Sequence, residues 1–141
     1  MDVVSNLVPW DVAFAQAKYP SVSIITEQGG DVVTLIIAPK GIDQYPKYSV
    51  RFNKVITLIC YEEAFCLDRG HRIPPHGGCA YLWCDSPAVQ SYRRGEDIFS
   101  WRDLQHYLIF GGDSIVELIA SGQPKIERLD QRQIVEVKHE L

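Results

Sequence analysis

The sequence has no apolar run approaching the roughly 20 residues that a membrane-spanning helix needs. Its opening decapeptide, MDVVSNLVPW, has neither the basic residues nor the long apolar stretch of a secretory signal. Both absences point to a cytoplasmic protein that does not engage a membrane. In that compartment thiols are kept reduced, so the four cysteines read as thiols rather than as two disulfides. Clustered positive charge is also scarce. Arg93-Arg94 is the only adjacent basic pair, acids follow it closely, and the formal net charge is −4. Such a surface lacks the basic stripe of a phosphate-binding protein, which argues against a nucleic-acid partner. There is no G-x-G-x-x-G or Walker pattern. Gly29-Gly30, Gly77-Gly78 and Gly111-Gly112 each fit a turn, so no cofactor is expected.

What is present is a chain of 141 residues with 46% hydrophobic side chains, enough for one domain, residues 1–141, with a core of its own. Residues 9–18, PWDVAFAQAK, carry Trp10, Phe14 and Ala17 at i, i+4 and i+7, the spacing of one helix face, and Pro20 ends the segment. The pattern then changes to strands. SVSIIT (21–26) and VVTLIIA (32–38) flank Gly29-Gly30-Asp31 and predict a hairpin. The stretch 48–61 alternates with period two, placing Tyr48, Val50, Phe52, Ile56, Leu58 and Cys60 on one apolar face. Lys54 interrupts that face and predicts a bulge or a strand end. CAYLWC (79–84) predicts a strand. Ser86-Pro87 then reads as an N-cap followed by proline at the first helical position, opening a short helix that ends near Gly95. Residues 97–103 read as loop with one helical turn, and residues 125–139 as a last strand. The class expected is α+β: a single antiparallel sheet of six or seven strands, open or partly closed, with two short helices against it.

Chemistry concentrates in CYEEAFCLDRGHRIPPHGGCAYLWC (60–84), which holds every cysteine and two of the four histidines. A structural zinc site takes four ligands, usually from close-spaced pairs such as C-x2-C. The spacings here are Cys60-x5-Cys66, His71-x4-His76 and Cys79-x4-Cys84, unlike knuckles or ribbons. Cys66, His71, His76 and Cys79 form the best candidate metal set. Cys66 or Cys79 beside His71 or His76 is the alternative, a thiolate nucleophile held by a base. Against both stands the reading of Cys60 and Cys84 as small hydrophobes in strands. Arg69, His71, Arg72 and His76 give this loop a positive edge on an acidic protein.

QHYLIF (105–110) and SIVELIA (114–120) flank Gly111-Gly112-Asp113. The hairpin that results pairs Phe110 with Ile115, Leu108 with Glu117 and His106 with Ile119 on one face, and Ile109 with Val116 and Tyr107 with Leu118 on the other. Both faces are apolar, so one needs cover from elsewhere in the chain or from a partner. The partner reading makes His106, Leu108, Phe110, Ile115, Glu117 and Ile119 an interface, with Phe110 as its anchor. HYLIFGGDSIVELIASGQPKIE (106–127) also resembles the closing hairpin of small bacterial proteins of the toxin-immunity type, in strand order more than in specific motif. The resemblance covers about half the chain, leaves out the cysteine cluster and supplies no site residues. It implies a small domain that binds another protein and does no chemistry, and the apolar faces of the hairpin add a homodimer as the other form of that reading. A metal-binding protein or cysteine-dependent enzyme built on residues 60–84 is the alternative.

Overall fold

Asn53 and Lys54 split the longest predicted strand in two and send its halves into different sheets. Lys54 adopts a left-handed φ of 53°, a sharp corner that the interrupted alternation had marked. The computed structural model describes residues 7–62, 78–84, 86–95, 103–112 and 114–130. Along them run β1 (Val8–Pro9), β2 (Ser21–Glu27), β3 (Val32–Ala38), β4 (Lys47–Phe52), β5 (Val55–Tyr61), β6 (Ala80–Leu82), the helix α1 (Pro87–Gly95), β7 (Leu104–Phe110), β8 (Ile115–Ser121) and β9 (Lys125–Leu129).

These strands form two antiparallel sheets, one of five strands in the order β1-β6-β7-β8-β5 and one of four in the order β2-β3-β4-β9. The expectation of an α+β fold on a single sheet with two helices is therefore overturned: the described chain is mostly β, in two layers. Period-two alternation shows that a segment is a strand with a buried face, but it does not show which sheet the strand joins. One face of each sheet enters a common core. Val33, Leu35, Ile37, Val50 and Phe52 come from the four-stranded sheet, and Tyr107, Ile109, Val116, Leu118 and Ala120 from the five-stranded one. Burying aliphatic side chains of this kind contributes about 1.5–3 kcal/mol each.

The expected N-terminal helix is absent, yet its apolar residues still serve the core. Trp10 and Phe14 are buried, and Trp10 packs on Tyr107 with ring centroids 4.9 Å apart. Residues 11–18 form successive tight turns, with Ala15 N–H donating to Val12 O at 3.1 Å and Ala17 N–H to Phe14 O at 3.1 Å. The Ala15 carbonyl, which a helix would direct along its own axis, instead accepts from Cys79 N–H at 2.7 Å. Gly78 makes that docking possible, because a Cβ there would lie 2.1 Å from Ala15 O.

The hairpin of β7 and β8 has the register its sequence predicts, with Phe110 opposite Ile115, Leu108 opposite Glu117 and His106 opposite Ile119. Its strands lie inside the five-stranded sheet and are covered on both faces. One face meets the four-stranded sheet. The other meets α1, where Val89, Ala88 and Tyr92 pack with Leu104, Ile119 and Ile56, and also Leu7 and Trp83. A register shift between Val55 and Thr57 lets Ile56 join this second layer while Val55 stays with the common core. No described helix is long and apolar enough to cross a membrane. The predicted helical turn in 97–103 falls almost wholly outside the described residues, as does the last strand beyond residue 130.

Candidate functional site

The layer between α1 and the five-stranded sheet contains a chain of polar side chains in an otherwise apolar setting. Ser86 precedes Pro87 at the start of α1, and its Oγ accepts from Val89 N–H at 3.2 Å, the N-cap that the Ser-Pro pair predicts. The same Oγ lies 2.7 Å from His106 Nδ1 on β7. His106 Nε2 lies 2.8 Å from Glu117 Oε1 on β8, and Tyr61 at the end of β5 donates its hydroxyl to Glu117 Oε2. Ser86, His106 and Glu117 are 0%, 2% and 1% exposed. Trp83 lies against the imidazole with centroids 4.9 Å apart, and Trp83 N–H donates to His106 O at 2.8 Å.

Ser86 Oγ accepts from Val89 N–H and is also hydrogen-bonded to His106 Nδ1. Glu117 is hydrogen-bonded to His106 Nε2 through one carboxyl oxygen and accepts from Tyr61 on the other. The tautomer of the imidazole sets which atom donates in its two bonds. Serine, histidine and carboxylate in series resemble a nucleophile, its base and an orienting acid. Here, however, the hydroxyl is fully buried and caps a helix. The arrangement joins α1, β5, β7 and β8.

The residues expected to form a partner-binding face belong to this interior. His106, Leu108, Ile115, Glu117 and Ile119 are each no more than 2% exposed. Phe110, the expected anchor, is half-buried and packs edge-on against Tyr81, centroids 5.5 Å apart. The cover that the apolar face requires comes from this chain. Of the candidate metal set, Cys66, His71 and His76 lie outside the described residues, as do Arg69 and Arg72. Cys79 is buried and donates its thiol to Phe14 O at 3.2 Å. Burial pushes its pKa up to about 11, so in this setting it is a thiol at neutral pH. Among the described residues no cluster of three His, Cys, Asp or Glu is arranged to hold a metal. Cys60, expected in the core, is exposed. It faces the common core's side opposite Val116, but β5 is a sheet edge.

A different feature, which the pattern reading missed, sits where β2 begins. Tyr19 is 79% exposed and has a φ of 54°. A bulky residue in the left-handed region is strained, and proline next in sequence also disfavours the right-handed helical alternative. The next residue, Pro20, is buried, and its carbonyl accepts from Gly112 N–H at 2.9 Å, tying the β7–β8 turn to this segment. Tyr19, Pro20, Ser21, Val22, Gly41, Gly111, Gly112 and Ser114 line a cleft of about 240 Å³. Ile42, beside the lining Gly41, is 62% exposed. The Tyr-Pro dipeptide after an apolar segment was the available signal. Strain on an exposed aromatic appears only once the backbone is known.

No family model, curated protein or solved structure matches the chain.

Proposed function

We propose that this chain is a cytoplasmic protein-binding domain that does no chemistry of its own, and that the cleft beside Tyr19 receives a side chain of its partner. The observation that carries this reading is Tyr19 itself, a large aromatic held largely in solvent on strained backbone. Strain of this kind persists where it serves a site, and exposed aromatics are the commonest anchors of protein interfaces. The size of the cleft agrees. At about 240 Å³ it falls below the usual 300–1,000 Å³ of small-molecule pockets and suits one side chain of a larger ligand. The resemblance of residues 106–127 to toxin-immunity proteins points to the same class, as a binder of another protein. Free thiols at Cys60, Cys79 and Cys84 fit a reducing compartment. The buried Ser86–His106–Glu117 chain supports a non-catalytic role, since its hydroxyl caps α1 and its carboxyl is engaged by His106 and Tyr61.

The test is a photo-crosslinking amino acid at position 19, expressed in the native cell, with adducts identified by mass spectrometry. A protein captured this way should bind the purified wild-type chain. Tyr19→Ser should weaken that binding by about 2 kcal/mol, close to 30-fold, with circular dichroism unchanged. Equal affinity of the two forms would remove Tyr19 from the interface and the reading with it.

A further inference from the structure

Among the described residues the two sheets have four edge strands, and three carry a feature that discourages pairing with another chain. β1 is two residues long and includes Pro9, which has no N–H to donate. β5 is irregular at Ile56, where its register shifts. β9 reads KIERL, with Lys125, Glu127 and Arg128 exposed. Short length, proline, bulges and charge are the ways natural sheets blunt their edges.

β2 has none of these along its first six residues. It pairs with β3 over all seven residues in unbroken register, from Ser21 opposite Ala38 to Glu27 opposite Val32. Among the described residues no strand pairs with its other edge. Its sequence, SVSIITE, is rich in β-branched residues and uncharged until Glu27, which is held by Arg51 at 3.0 Å. Ile25, on the face away from the core, is 49% exposed.

We propose that the open edge of β2 pairs antiparallel with β2 of a second copy of this chain, joining two four-stranded sheets into one of eight strands. A two-fold axis through Ile24 brings all seven residues into register. Ser21 then lies opposite Glu27 of the second copy, Val22 opposite Thr26, and Ser23 opposite Ile25. An antiparallel edge is complementary to itself about such an axis, because each strand offers the other the same alternation of donors and acceptors. The charge pattern favours a second copy over an arbitrary strand. The two Glu27 carboxylates fall at opposite ends of the paired segment, about 20 Å apart by strand geometry and beyond the screening length at physiological salt. The two Ile25 side chains become diagonal neighbours across the axis, within reach of one another, and lose exposure. The pairing is argued from the strand edge and not from Tyr19, although Ser21 and Val22 belong both to the paired segment and to the lining of the cleft. One strand pair buries less than the roughly 1,200 Å² of a stable interface, so this dimer dissociates on dilution.

The experiment is sedimentation equilibrium of wild type and Ile25→Lys over a wide concentration range, with amide exchange read residue by residue. Wild type should dimerise reversibly, with alternate amides of β2 gaining protection as concentration rises while those of β9 do not. Ile25→Lys places two lysines next to each other across the axis and should raise the dissociation constant at least tenfold. Ser23→Lys, on the same exposed face, makes the same test should Ile25→Lys fail to fold. A wild type still monomeric near millimolar concentration overturns the proposal. So does a dimer that survives the lysine substitutions with β2 amides exchanging freely.

Discussion

His106 and Glu117 are diagonal neighbours across the β7–β8 ladder, and their side chains meet at 2.8 Å on a face that is otherwise apolar. Each is no more than 2% exposed. A carboxylate so placed has lost its water and depends on its bonds to His106 and Tyr61. The imidazole is bonded in turn to the Ser86 hydroxyl, so the histidine ring carries a polar link from the start of α1 to the sheet, beside the apolar contacts of Ala88 and Val89.

Breaking this chain at one point should cost more than removing it. His106→Leu leaves the Glu117 carboxylate buried without its imidazole and should destabilise the protein by about 3–5 kcal/mol in urea unfolding. The double variant His106→Leu/Glu117→Met should lose clearly less than the two single losses added together, because two apolar groups no longer require each other. Ser86→Ala should cost about 2 kcal/mol, from the lost cap and the unpaired imidazole nitrogen, and should speed exchange at the Val89 amide. Additive losses in the cycle would mean that the two side chains act independently.

Parts of this were legible in the sequence. Gly111-Gly112 and the alternation on either side predicted the β7–β8 register residue by residue, and so placed His106 and Glu117 on one face. Ser86-Pro87 announced the cap and the start of α1. Lys54 marked the break in the 48–61 strand. What escaped was long-range. Tyr61 reaches Glu117 across 56 residues and Ser86 reaches His106 across 20, and no local pattern encodes either meeting. Two sheets escaped because alternation is the same whichever sheet a strand joins. The helix at 9–18 was mistaken because consecutive tight turns also bring Trp10 and Phe14 to one side. Its fate was decided by the Ala15 carbonyl, which bonds to Cys79 instead.

That docking gives a sharp steric test at Gly78. An added Cβ would meet the Ala15 carbonyl at 2.1 Å, and the obstacle is backbone, which cannot swing away. Gly78→Ala should therefore cost about 3 kcal/mol or more, the upper range for overpacking, as the 11–18 turns are displaced from β6. Gly29→Ala is the control. Its φ of 68° is unfavourable for alanine, but nothing lies within 4 Å of the new methyl. Its cost should stay near 1–2 kcal/mol, the penalty of a left-handed residue alone. Equal losses at the two positions would show that contact with Ala15 does not govern Gly78.

Tyr19 should behave in the opposite way. Its ring is 79% exposed, so little packing is lost on truncation, and its φ of 54° is one that glycine adopts freely. Tyr19→Gly should leave stability unchanged or raise it by up to about 1 kcal/mol in thermal unfolding. Most substitutions destabilise, so a neutral or stabilising result would indicate that the tyrosine is kept for something other than the fold. A loss above 1 kcal/mol would instead give the ring a structural role and weaken the case for the cleft.

Alkaline conditions test the common core. Burial pushes the Cys79 thiol from its ordinary 9.0 up to about 11. Burial, with a smaller contribution from the Asp103 charge, pushes the Tyr107 phenol from 10.0 up to about 12. Both groups are neutral when protonated and hold their protons more tightly in the folded chain. The stability they contribute is therefore complete below the unfolded values, and it fades as pH rises through about 9 to 11 for Cys79 and about 10 to 12 for Tyr107. The loss should not exceed about 3 kcal/mol for either group. Thermal unfolding followed from neutral pH upward should show a falling midpoint that begins near pH 9. Cys79→Ala should flatten the first part of the decline and leave the second. At pH 8 an alkylating reagent should modify the exposed Cys60 and Cys84 in the native protein, and Cys79 only after unfolding. An unchanged pH profile in Cys79→Ala, or rapid native labelling of Cys79, would place that thiol in contact with solvent and undo the packing of β6 against the 11–18 turns.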